Sequence, residues 1–235
     1  MRKNLFSKAA ALAVPLLFFS SMVQANAPKP KRRSAVVHVV SYNIKGLPSF
    51  TLSSEYKEGR YPLIGKLLSG KGGGSAPGLV LLQEAFAAQT NILLEVANFP
   101  HVAVGPGVNA FLGVNSGLYI LSRYPIVEQD NVAFGPALCL SWDCLANKGA
   151  QFARIAVPGM PGTLEVFNTH LQAGREDSLA RQGQVKILLN FFRKHHQAGS
   201  PVVFGGDFNF RPGRKQQSYL TFAEEKSLLH AGKYC

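Results

Sequence analysis

The sequence predicts a single domain of the α/β class built on mixed β-sheet. Short apolar runs of β-like composition dominate the chain, and amphipathic helical patterns separate some of them. The two kinds of segment interleave without the strict βαβ rhythm that a doubly wound parallel sheet would require. The chain has 235 residues, enough for one sizeable core and short for two, at about 100 to 200 residues per domain.

The first segment reads as an export signal. Arg2, Lys3 and Lys8 precede the apolar run 9–19, and small residues follow at Val23-Gln24-Ala25 and Ala25-Asn26-Ala27. The run is short of the roughly 20 apolar residues a membrane span needs. Pro28 sits badly behind a cut at Ala27, so cleavage is expected after Ala25, with an uncleaved anchor as the alternative. Export makes the expected location secreted or periplasmic. Residues 26–34, with Pro28-Lys29-Pro30-Lys31-Arg32-Arg33, read as a basic, solvated tail. The domain proper is expected over 35–235. The formal net charge is +12 and the leader holds only three basic residues, so the mature chain favours anionic partners: nucleic acid, lipid headgroup or small phosphoester.

Strands are expected over 36–42, 79–83, 117–121, 151–156, 164–169 and 202–204, and helices near 61–68, 90–97, 176–196 and 218–231. The third helix has Leu179, Val185, Leu188, Leu189 and Phe192 along one face, with Arg181, Lys186, Arg193 and Lys194 largely on the other. Lys71-Gly72-Gly73-Gly74-Ser75 lacks the Gly-Lys-Ser/Thr ending of a phosphate loop and reads as a helix-to-strand connector. There is no internal repeat and no heptad pattern. Three cysteines in an exported chain suggest one disulfide and one remaining thiol. Cys139 and Cys144 are the natural pair, bracketing Leu140-Ser141-Trp142-Asp143, and Cys235 is left over.

Four apolar runs end in a polar group suited to phosphate chemistry: Asn43, Glu84, His170, and Asp207 with Asn209. Glu84 would emerge as a carboxylate from the buried run 79–83, which requires a counter-charge. A divalent cation supplies one, and Mg²⁺ accepts few carboxylates while leaving positions for water and phosphate; a salt bridge to Lys or Arg is the alternative. Asn43 can accept from a metal or donate to phosphate, or can simply make a turn. His170 fits phosphate binding or proton transfer near neutral pH, and equally a structural hydrogen bond. Asp207 can orient or deprotonate water and Asn209 can donate to a phosphoryl oxygen; the same pair also fits an Asx turn. Together these groups describe hydrolysis of a phosphate ester.

Ser41-Tyr42-Asn43-Ile44, Leu82-Gln83-Glu84, Ser122-Arg123-Tyr124-Pro125, Asn168-Thr169-His170-Leu171 and Gly206-Asp207-Phe208-Asn209 resemble the ordered motifs of the endonuclease/exonuclease/phosphatase superfamily, over nearly all of the mature chain. The resemblance implies a four-layered sandwich, two mixed β-sheets flanked by helices, and a metal-dependent phosphoesterase. It implies Glu84 as metal ligand, Asn43 near metal and phosphate, His170 as acid or phosphate contact, Asp207 as the water-orienting carboxylate and Asn209 as phosphate donor. The run from Asp143 to Gly149, then Phe152-Ala153-Arg154-Ile155 and Asn168-Thr169-His170-Leu171-Gln172-Ala173, is similar to secreted neutral sphingomyelinase-like members. That narrower resemblance implies a phospholipid substrate and Lys148 as a substrate-binding residue, although Asn147-Lys148-Gly149 also fits a strand-entry turn. No aromatic hairpin suited to membrane insertion is evident. A secreted nuclease, or an inert phosphate- or membrane-binding protein, are the alternatives; no obligate protein partner is evident.

One family motif has no counterpart. The superfamily closes with a strand bearing Ser-Asp-His, whereas this sequence runs through Arg211-Pro212 and 218–231 to Cys235, and His230 stands in a helical pattern without a preceding Asp. The expectation is a domain incomplete at its C-terminus. Loss of a general base would lower turnover by about 10² to 10⁴-fold, and loss of closing strands would leave sheet edges open.

Overall fold

The computed structural model describes residues 35–47, 59–86, 88–108, 114–174 and 177–210. The expected leader, basic tail, last helix and Cys235 lie outside them. Eight strands and three helices follow in order: β1 (Val39–Gly46), α1 (Arg60–Leu68), β2 (Leu79–Ala85), α2 (Thr90–Ala97), β3 (His101–Val104), β4 (Tyr119–Ser122), β5 (Ile126–Ala133), β6 (Gly149–Ile155), β7 (Leu164–His170), α3 (Ser178–His195) and β8 (Val202–Asp207).

The strands form two mixed four-stranded sheets, ordered β1-β2-β4-β3 and β5-β6-β7-β8. In each, one pair is parallel, β1 with β2 and β7 with β8, and the remaining pairs are antiparallel. Side-chain alternation along β2 explains the layering. Val80 and Leu82 join Ile64, Leu68 and Leu93 of α1 and α2 in one core, while Leu79 and Leu81 join Ala153, Ile155 and Val166 of the other sheet in a second. A third core sets Phe152 and Phe167 against Val185, Leu188, Leu189 and Phe192 of α3. The result is a helix–sheet–sheet–helix sandwich. Each side chain of this size that becomes fully buried contributes roughly 1.5 to 3 kcal/mol.

The sheets meet closely where β8 crosses β2, because a Cβ on Gly205 would run into Leu81 Cδ1. Next to this contact a polar seam passes through the buried layer. Gln83 Nε2 donates to Asn168 Oδ1 at 2.8 Å, and Asn168 Nδ2 donates to the carbonyls of Leu82 and Tyr119 at 2.9 and 3.1 Å. Ser41 Oγ accepts from Gln83 Nε2 and from the backbone N–H of Gly206. Both sheets are thus joined by groups whose donors and acceptors match.

The structure departs from the sequence reading at several elements, among them β8, which runs on from the expected 202–204 to Asp207. β1 begins three residues later than expected and runs on to Gly46, because its pairing starts at Val39 opposite Leu79. β3 and β5 were not anticipated. Leu179, expected on the buried face of α3, is 78% exposed, and Arg181, expected in solvent, is 1% exposed. Arg181 turns inward because its guanidinium finds the carbonyls of Gln172 and Gly174 at 2.8 and 2.7 Å. The far end of α3 is tied by Glu165, fully buried, which accepts from Arg154, from His196 Nδ1 and from the Gln197 N–H.

Replacing Asn168 by Ala would leave the Gln83 amide and two strand carbonyls short of a partner. The expected cost is about 2 to 4 kcal/mol, read as a lower urea midpoint at unchanged slope.

Candidate active site

The candidate side chains come from the C-terminal parts of four strands, two interior (β2, β7) and two at sheet edges (β1, β8). Asn43 lies in β1, Glu84 in β2, and His170 and Asp207 are the last residues of β7 and β8, paired with each other in the parallel ladder. β1 carries one extra residue between the pairs Asn43 with Gln83 and Gly46 with Ala85, a bulge that re-aims the strand end. Lys45, Glu84 and Asn209 have φ of 50°, 54° and 50°. Such left-handed conformations cost non-glycine residues of order 1 to 3 kcal/mol each and persist where the surroundings over-determine them.

The side chains converge. Asn43 Nδ2 donates to Glu84 Oε1 at 2.8 Å and to Asp207 Oδ2 at 3.0 Å, while its Oδ1 accepts from the Lys45 N–H. His170 Nε2 lies 3.9 Å from Glu84 Oε1 and 4.0 Å from Asp207 Oδ2. One ligand atom from each of Glu84, His170 and Asp207 falls within 4.8 Å of the others. The Asp207 and Glu84 side chains are 33% and 19% exposed and His170 only 5%, so the carboxylates face the opening and the imidazole forms the floor. Two carboxylates sharing one amide donor carry more negative charge than that donor offsets. The set therefore fits a hard divalent cation held by Glu84 and Asp207.

Lys148 precedes β6 and is 4% exposed. Its Nζ donates to the Leu171 carbonyl at 2.9 Å, pairs with Asp143 Oδ2 at 2.9 Å and lies 3.3 Å from His170 Nε2. Burial lowers the Lys148 pKa, and Asp143 partly restores it. An ammonium only donates, so facing one makes His170 Nε2 the acceptor and puts the proton of the neutral ring on Nδ1. That Nδ1 is buried with no hydrogen-bond partner among the described residues. Burial first, and the Lys148 charge second, lower the His170 pKa from 6.5 to about 4. Asn209 completes the group: its N–H donates to Asp207 Oδ1 and its Nδ2 to the Leu171 carbonyl, the same oxygen that Lys148 holds.

Asn43, Glu84, Lys148, His170, Asp207 and Asn209 are thus in one site. Ser122-Arg123-Tyr124-Pro125 is not: Arg123 binds the Pro77 carbonyl and stacks on Phe99, at the end of β2 remote from Glu84. Sequence reading gave no role to Asp143, although its place five residues before Lys148 and beside Cys144 was visible. Its Oδ2 also accepts from the Ala173 N–H at 2.6 Å. Cys139 and Cys144 are bonded, with Cα atoms 5.1 Å apart.

No family model matches the chain. It is 30% identical over 199 residues to a sphingomyelinase of Mycobacterium tuberculosis, covering 82% of this chain and 38% of that protein. It is 36% identical over 120 residues to human sphingomyelin phosphodiesterase 3, covering 44% of this chain and 18% of that protein. The chain thus spans less than two fifths of the length of these curated relatives. Among solved structures, a hairpin-deletion mutant of beta toxin from Staphylococcus aureus superposes with a TM-score of 0.68 at 22% identity, over 80% of this chain and 73% of that one. Sphingomyelinase C from Streptomyces griseocarneus gives 0.67 at 22% identity, over 84% and 72%. A beta toxin mutant with bound magnesium ions gives 0.65 at 21% identity, over 79% and 68%. Fold and relatives together place the chain in the endonuclease/exonuclease/phosphatase superfamily. Within it, the chain stands near the sphingomyelinase-like members.

The His170 pKa sets a pH dependence. The unfolded chain takes up this proton near 6.5 and the folded one near 4. The contribution of this group to stability is therefore complete above pH 6.5 and is lost as pH falls toward 4. In metal-free protein, NMR titration of the His170 ring should show a midpoint near 4; a midpoint at or above its ordinary value would contradict the geometry around Nε2.

Proposed function

We propose that this chain is an exported, Mg²⁺-dependent phosphodiesterase that cleaves the headgroup phosphoester of a sphingomyelin-type lipid. The convergence of Glu84, His170 and Asp207 within 4.8 Å, where the two sheets meet, carries the reading. Relatives and fold neighbours named as sphingomyelinases support a lipid phosphoester over nucleic acid, and a neighbour with bound magnesium supports the choice of metal. Among the described residues no helix is long and apolar enough to cross a membrane.

Glu84 and Asp207 would hold the cation, which when bound supplies Lewis-acid stabilisation of charge on the phosphoryl oxygens. The protein's own groups do the rest. Asp207, the more open carboxylate, aligns the attacking water and takes its proton. The second N–H of Asn209 donates to a phosphoryl oxygen, and the positive charge of Lys148, whose three N–H groups face Leu171, Asp143 and His170, stabilises the negative charge as it builds. As water attacks phosphorus, the bond to the lipid oxygen breaks. That oxygen takes a proton from the Lys148–His170 couple, where the lowered Lys148 pKa eases the transfer. Phosphocholine and the lipid alcohol leave.

Phosphocholine release from sphingomyelin vesicles in Mg²⁺ is the direct test. EDTA should abolish it, and Glu84→Gln should lower the rate by about 10²-fold or more with the fold intact. Cutting of plasmid DNA without phosphocholine release would replace the lipid reading by a nuclease, and a rate indifferent to Glu84→Gln would remove the enzymatic one.

A further inference from the structure

We propose that the Cys139–Cys144 disulfide is a positioning element of the active site: it holds Asp143 against Lys148, so that reducing the bridge releases Lys148 from the phosphate-facing floor. The site itself is the one read above, and activity as a readout rests on that reading.

The segment between β5 and β6 is held at its start by buried Phe134 and by Leu138 close over Gly183 of α3, but the described side chains of the turn around Asp143 add no apolar anchor. It consists of two short 3-10 turns, Pro136–Leu138 and Ser141–Leu145, joined at Cys139 and Leu140. Ser141 has a left-handed φ of 57°. Leu140 and Leu145, which could have anchored the turn in a core, are instead exposed. Hydrogen bonds hold its two flanks: Gln184 and Gln172 donate to the carbonyls of Leu138 and Leu140, and Ala146 bridges to Val114. Between these flanks lies Asp143, and the bridge closes the turn around it.

What depends on Asp143 is large for one carboxylate. Its Oδ2 takes both the Lys148 ammonium and the Ala173 N–H, two residues beyond Leu171, whose carbonyl Lys148 also holds. Among the described residues, Asp143 is the one carboxylate within ion-pair distance of Lys148. A buried ammonium that loses its counter-charge is strongly disfavoured, so it moves out to water or gives up its proton. Either outcome removes the cation beside His170.

The step is thiol–disulfide exchange. A dithiol reductant gives two electrons to the bridge, Cys139 and Cys144 become thiols, and the reductant leaves as its own disulfide. The turn then regains the conformational freedom that closure had removed.

Two measurements test this on the intact protein. Mass-spectrometric timing of lysine acylation should show Lys148 protected in the oxidised form and labelled at a rate approaching that of exposed Lys186 after reduction. In vesicle assays, reduction or the double substitution Cys139→Ala with Cys144→Ala should lower kcat by about tenfold or more. Reoxidation should restore the wild-type rate, and Asp143→Asn added to the double variant should cost little more. Protection of Lys148 that survives reduction, full kcat without the bridge, or additive losses from Asp143→Asn would each overturn the proposal. If the oxidised protein hydrolyses no phosphodiester, the functional reading fails, and the labelling arm decides this proposal alone.

Discussion

The site exists only while two separate sheets keep one register, and the buried pairing of Gln83 with Asn168 fixes it. An apolar interface would let the sheets slide at small cost. A buried amide pair whose remaining groups bind Leu82, Tyr119 and Ser41 does not, because any shift strands several polar groups together. Gln83 is the neighbour of Glu84, and Asn168 lies two residues from His170. The pairing that aligns the sheets therefore also aligns the two ligand-bearing strand ends.

Above that seam the molecule stores unfavourable terms. Glu84 and Asp207 are held together with one shared amide donor, Lys148 and His170 are buried side by side, and three residues take left-handed backbone conformations. A region with so many local costs keeps its shape only because the cores on either side are well packed. The same costs make it receptive to a ligand that brings positive charge to the carboxylates and negative charge to Lys148. A phosphate ester with its metal has that charge pattern.

Much of this was legible in the sequence, for a physical reason. Central strands covered on both faces read as largely apolar runs, so β2, β6 and β7 announced themselves, with Glu84 and His170 marking the ends of two of them, and Asn43 and Asp207 following shorter apolar runs on edge strands. β5 was illegible because it lies at a sheet edge, where Glu128, Gln129, Asp130 and Asn131 face solvent or ion-pair partners. β3, four residues long, is too short to show a period. Arg181 misled because helical periodicity records polarity, not the presence of waiting carbonyls. Asp143 went without a role because its partner, Lys148, takes its meaning from His170 on another strand. Contacts of that kind belong to the tertiary structure and have no local signature.

The placement of Asp207 has a consequence for durability. β8 is an edge strand of its sheet among those described, whereas Glu84 stands on an interior strand of the other. A cation shared by the two carboxylates would clasp the peripheral strand to the middle of the opposite sheet. Loading the site would then slow the detachment of β8, and withdrawal of the ion would loosen the fold from that border inward. Persistence and readiness to react would then be governed by the same bound ion.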